Sequence, residues 1–107
     1  MAHYLFQVAY TPEALATLIK KPENRIEVVS KAVEKLSGRL VSGWFCFGEY
    51  DLVLIIELPD NVSAAAFAIA AAAGGALKAN KTTPLLTPNE MIEMFKRAGT
   101  TGYRPPG

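Results

Sequence analysis

From His3 to Tyr10 the chain is rich in aromatic and β-favouring residues, which predicts a first strand. Thr11-Pro12-Glu13 then reads as a helix start. Threonine can cap, proline is preorganised for the first helical position, and glutamate suits the positive end of the dipole. Ala14, Leu15, Leu18 and Ile19 give this short helix an apolar face, and Pro22 interrupts it. Ile26, Val29, Val33 and Leu36 recur at spacings of three and four, with Lys31, Glu34 and Lys35 opposite, so a second helical stretch restarts at once. It ends at Ser37-Gly38, where glycine is expected to take the left-handed conformation. Two strand-like runs follow, Leu40–Phe47 and Tyr50–Leu58, joined at Gly48-Glu49 as a two-residue hairpin turn. The second run scarcely alternates between Leu52 and Ile56, the mark of a strand covered on both faces.

Pro59-Asp60-Asn61 breaks that run and offers a cap for an alanine-dominated helix, Ser63–Ala73, which Gly74-Gly75 ends. A weaker strand runs from Leu77 to Thr83 and, given Pro84, belongs at or near a sheet edge. Thr87-Pro88-Asn89-Glu90 has the form of a capping box before a last helix, Met91–Ala98, which presents Met91, Ile92, Met94 and Phe95. This order predicts an α+β fold: a ferredoxin-like βαββαβ unit with a four-stranded antiparallel sheet and an extra C-terminal helix. Residues 1–98 form the domain and 99–107 a flexible tail. Helices cover one sheet face. The other carries apolar residues too, and a monomer rarely shows water so large a patch, so pairing of two sheets in a homo-oligomer is expected.

Composition narrows the partners. The 107 residues, half hydrophobic and one-fifth charged, suffice for one core without disulfide staples. Eleven basic and ten acidic side chains leave +1, which gives neither a nucleic-acid footprint nor a polybasic membrane patch. One histidine and one cysteine make a dedicated zinc site an unpromising reading, and no cofactor motif appears. Cys46, in an apolar run, reads as a small buried hydrophobe. The longest apolar run, Ala64–Ala73, is too short to span a bilayer, and the first ten residues lack a basic start and a long apolar stretch, so a cytoplasmic protein is expected.

Gly48-Glu49-Tyr50-Asp51-Leu52-Val53, at the hairpin between the middle strands, resembles the signature of the GYD domain family. The Thr-Pro-Glu opening after strand one, the Pro-Glu-Asn-Arg helix start and Leu-Thr-Pro-Asn-Glu-Met before the last helix agree with it. The resemblance covers about Tyr4 to Phe95. It implies a dimeric α+β-barrel arrangement and carries no catalytic residues over.

Several residues invite a chemical reading. Gly48 and Asp51 suit a hairpin pinned by a positive φ and by a carboxylate on backbone amides; alternatively Glu49 or Asp51 meets a ligand at the rim. His3 reads as a peripheral histidine rather than a general base. Glu57 shares parity with Val53 and Ile55 and reads as solvated near the strand end, with Arg25, Arg39, Lys78 or Lys81 as possible partners. The small side chains of Ala64–Ala73 either let helix and sheet approach closely or leave a pocket there. Trp44, Phe45, Phe47, Tyr50 and Phe67 are candidate walls. The candidate ligand-binding set is Trp44, Phe47, Tyr50, Asp51 and Phe67. The leading functional expectation is a small oligomer that binds an apolar or aromatic small molecule, or a protein partner. The alternative is a cofactor-free enzyme, an oxygenase or isomerase.

Overall fold

Tyr4, Phe6, Val8 and Tyr10 alternate with His3, Leu5 and Gln7, and the pleat sends only the first set under the helices. The computed structural model describes all residues from Met1 to Gly107. Its elements are β1 (Ala2–Tyr10), α1 (Pro12–Lys20), α2 (Arg25–Lys35), β2 (Arg39–Phe45), β3 (Leu52–Leu58), α3 (Asn61–Ala73), β4 (Leu77–Leu85) and α4 (Pro88–Ala98). The sheet order is β2-β3-β1-β4 with every neighbouring pair antiparallel, which is the expected βαββαβ arrangement with an added helix. β4 lies at an edge, so Pro84 can sit within it opposite Tyr4 without leaving an inner strand short of a donor.

The core lies between the sheet and the helices. Phe6, Leu54, Ile56, Leu58 and Val33 have essentially no exposed surface, and the rings of Phe6 and Phe67 meet edge to face at 5.1 Å between centroids. α2 supplies Val33, Val29 and Ile26, and α3 supplies Ala64 and Phe67, with Ala68 beside them. The cap residues act as their types suggest. Thr11 Oγ1 accepts from the Ala14 amide at 3.1 Å and Asp60 Oδ1 from the Ser63 amide at 2.8 Å. Hydrogen bonds from Ser63 hold the Asp60 carboxyl below its ordinary range. Burial, with Asp60 nearby, raises the Tyr4 phenol, which donates to Asn61 Oδ1 at 2.7 Å.

Four local readings change. α1 and α2 are separate helices with Lys21–Asn24 between them, because Asn24 starts a new cap after Pro22, its Oδ1 accepting from the Ile26 amide. Ser37, not Gly38, takes the left-handed conformation, with φ of 62°. Gly38 is needed for room, since a Cβ there would collide with the Glu57 carbonyl and lie 2.5 Å from Leu58 Cδ2. The hairpin between β2 and β3 is not a two-residue turn. The last ladder pair is Phe45 with Leu52, and the Cys46 amide donates to the Asp51 carbonyl at 2.9 Å, leaving a loop that holds Gly48 at φ 122°. Cys46 is consequently exposed rather than buried, with its thiol on the Tyr50 carbonyl at 3.2 Å.

Within one chain β3 is covered on one face only. Leu52, Leu54, Ile56 and Leu58 are buried, whereas Val53, Ile55 and Glu57 are half-buried on the open side. Register lines up three rows across that open face: Trp44–Val53–Gln7–Lys81, Ser42–Ile55–Leu5–Thr83, and Arg39–Glu57–His3–Leu85.

Candidate functional site

Alanine on α3 leaves volume that longer side chains would have filled. Between α2, α3 and the sheet lies a cavity of about 250 Å³, and eleven of its fourteen lining residues are hydrophobic. Phe6, Val8, Leu52 and Leu54 make its floor, Phe67 and Ala71 one wall and Val29 the other. Polar groups reach it from Tyr10, itself one of the eleven, and from Arg25 and Asn80. A second hollow of about 240 Å³, on the α1 side, shares Tyr10, Arg25 and Ala76 with it.

Asn80 stands in β4 opposite Val8, at the parity that points to the helices. Its Nδ2 donates to the Ala68 carbonyl at 3.0 Å, which fixes the amide's orientation and leaves Oδ1 buried without a donor. A buried carbonyl in that state costs about 1–3 kcal/mol relative to one that is satisfied. Arg25 begins α2 and pairs with Glu23. That hydrogen bond, helped by the Tyr10 hydroxyl, raises the guanidinium's pKa further against the opposing effect of partial burial. The cavity is therefore a largely apolar chamber whose wall includes a cation and the Asn80 amide, with the unpartnered Oδ1 buried behind its surface.

The five residues singled out from the sequence do not converge. Phe67 lines the cavity. Trp44 lies on the open sheet face, mostly exposed, and Phe47 projects from the hairpin loop into solvent. Tyr50 is in the same loop. Asp51 braces the fold, since its Oδ2 accepts from the Tyr10 amide and its own amide donates to the Val8 carbonyl, both at 2.8 Å. Sequence reasoning missed Tyr10, Arg25 and Asn80. A polar residue at the inward parity of β4 was the available signal for Asn80.

A second cluster crosses the open face at one end of the sheet. Glu57 Oε1 lies 3.0 Å from His3 Nε2, and Oε2 accepts from Arg39 Nε at 3.0 Å and lies 2.9 Å from Nη2. Glu57 thus has a cationic partner in Arg39, the cross-strand neighbour, rather than a purely solvated carboxylate. No three His, Cys, Asp or Glu side chains are grouped to hold a metal ion, and no helix is long and apolar enough to cross a membrane.

A family model described as the GYD domain matches residues 4–95, nearly the whole sheet and its helices. The chain belongs to the GYD domain family. Within this GYD domain the Gly48–Asp51 stretch is the β2–β3 loop, and its aspartate ties that loop to β1 rather than facing the cavity. No curated protein matches the sequence significantly. Among solved structures, the GYD domain is similar to the crystal structure of MtbAldR, with a TM-score of 0.58 and 15% identity. The match covers 80% of this chain and 53% of that one, so the GYD domain spans about half the length of MtbAldR. At that identity the likeness is one of fold.

Proposed function

We propose that this GYD domain is a small-molecule-binding protein that holds an apolar or aromatic ligand of about single-ring size between α2, α3 and the sheet. The observation that carries this is a mainly apolar cavity walled in part by Asn80, whose buried Oδ1 has no partner. A ligand carrying one O–H or N–H donor on a hydrophobic body would fill the space and, with a small turn of the Asn80 amide, meet that acceptor. The cavity's polar wall argues for binding over turnover. It offers a phenol, a guanidinium and a carboxamide, but no carboxylate or imidazole to act as a general base near neutrality.

Filling the space tests this. Ala71→Leu places added methylenes in the cavity, whereas Ala72 is exposed and its leucine variant controls for surface hydrophobicity. Titration with phenol and benzyl alcohol, followed by amide chemical shifts, is expected to show at least about tenfold weaker binding in Ala71→Leu alone. A packed interior would instead make Ala71→Leu about 1–3 kcal/mol less stable with no saturable shifts in any form, and the small-molecule site would then be withdrawn.

We propose further that the protein works as a homo-oligomer in which open sheet faces pair. Leu5, Val53 and Ile55 are half-buried there and Trp44 is mostly exposed, an apolar patch that a second sheet would cover. Ile55→Lys is expected to convert the assembly to monomers at micromolar concentration by light scattering. A wild-type chain already monomeric under those conditions removes the idea.

A further inference from the structure

α4 is well built at its ends and unsupported along its side. Thr87 Oγ1 accepts from the Glu90 amide at 3.1 Å, and Glu90 Oε1 accepts from the Thr87 amide at 2.9 Å, completing the capping box. Hydrogen bonding from Thr87, its backbone amide first, holds the Glu90 carboxyl below its ordinary range. Pro88 occupies the first turn, Lys96 and Arg97 the last, and Arg97 pairs with Glu93. Yet no residue of the helix is buried. Met91, Ile92 and Met94 are 43%, 50% and 41% exposed and Phe95 62%, and the groove beside them is wide and partly charged. An isolated helix of eleven residues is marginal in water even with good caps, because propagation scarcely repays nucleation. This helix requires an apolar surface that its own chain does not provide.

The size of the missing surface identifies the occupant. The chain exposes 7633 Å², whereas a folded monomer of 11.5 kDa is expected to expose about 5,800 Å². Its Cα radius of gyration is 17.0 Å, against about 13 Å for a compact domain of this length. The excess, about 1,800 Å² per chain, includes the exposed residues 99–107, and what remains for α4 and the open sheet face is still of the order each partner in an obligate homodimer buries. The same chain leaves two apolar areas uncovered, the open sheet face and the α4 face. One two-fold axis covers both on both copies, whereas an unrelated partner would need a surface matched to each.

We infer that α4 is an exchanged arm, which leaves its own sheet after β4 and seats the Met91–Phe95 face on a second copy of this chain. The inference rests on the homo-oligomer reading for its partner and goes beyond it by assigning the helix a place in the contact. In the 107-residue chain, Met94→Lys combined with Phe95→Glu keeps helix propensity, net charge and the capping box. Ile19→Lys combined with Ile69→Glu, at still more exposed apolar positions of α1 and α3, is the control. Sedimentation equilibrium is expected to show the α4 variant's dimer dissociation constant raised about 100-fold or more, with the control unchanged. Isotope-filtered spectra of mixed labelled and unlabelled wild-type chains are expected to show contacts from the Phe95 ring and Met94 methyl to the other copy. A dimer that Ile55→Lys disrupts and the α4 variant leaves intact, without intermolecular contacts from Phe95, overturns the exchanged arm while keeping sheet pairing. A monomer whose α4 becomes helical only on anionic lipid vesicles overturns it in favour of a membrane surface.

Discussion

Gly38→Ala is expected to destabilise the protein by about 3 kcal/mol or more, a large effect for one methyl group. The added Cβ would collide with the Glu57 carbonyl, a backbone atom of β3, and would lie 2.5 Å from Leu58 Cδ2 and 2.9 Å from Val33 Cγ1. Val33 and Leu58 are completely buried, so neither can swing aside into solvent. Relief requires the α2–β2 connection to move off the sheet, which would also disturb the Gly38 amide's bond to the Val33 carbonyl. Gly48→Ala is the informative comparison. Its backbone has φ of 122° but nothing lies within 4 Å of a new Cβ, so only local strain of about 1–2 kcal/mol applies. Urea midpoints of the two variants check the ranking. Equal midpoints would mean that the α2–β2 connection yields more easily than its packing implies.

Asp51→Ala is expected to cost about 3 kcal/mol, and Asp51→Asn less than about 1 kcal/mol. The alanine leaves the Tyr10 amide without its acceptor at the point where β1 ends and its register with β4 shifts. Asparagine keeps an oxygen in the same place. The urea midpoint measures the loss, and hydrogen exchange at the Tyr10 amide locates it: protection should collapse in Asp51→Ala and persist in Asp51→Asn. If the family motif instead served a ligand at the hairpin rim, both variants would be stable.

The element order was legible because it depends on short-range signals. Thr11-Pro12, Pro22, Asp60 and the Thr87–Glu90 box each act within one helical turn, and each marks a boundary in the folded chain. Reading failed where a residue's role depends on a distant neighbour. Gly38 looked like a helix terminator because its sequence neighbours end a helix, but the constraint on it comes from Glu57 and Leu58 across the β2–β3 ladder. Gly48-Glu49 looked like a complete turn, yet ladder pairing stops at Phe45 and Leu52, and the Asp51 carboxylate holds the longer loop to β1. The alanine-rich helix announced a shortage of side-chain volume, and the cavity lies there. Its polar wall was not legible, because Tyr10, Arg25 and Asn80 come from three elements that meet only in space. The apolar face of α4 was visible as a helix stripe; that the helix stands clear of its own core was not.

The central place of β1 governs when folding can happen. The first strand of the chain lies inside the sheet, and its two neighbours, β3 and β4, begin about 50 and 75 residues later. Such long-range pairing slows folding, since a long loop must close before any contact stabilises it. On a ribosome adding about 5–20 residues per second, β1 waits about 4–15 s for β4 to be made, with Tyr4, Phe6 and Val8 unprotected. Of the sheet, only the β2–β3 hairpin can form locally in that interval. The nascent domain therefore completes its sheet late, and how long β1 stays uncovered is set by strands made much later than itself.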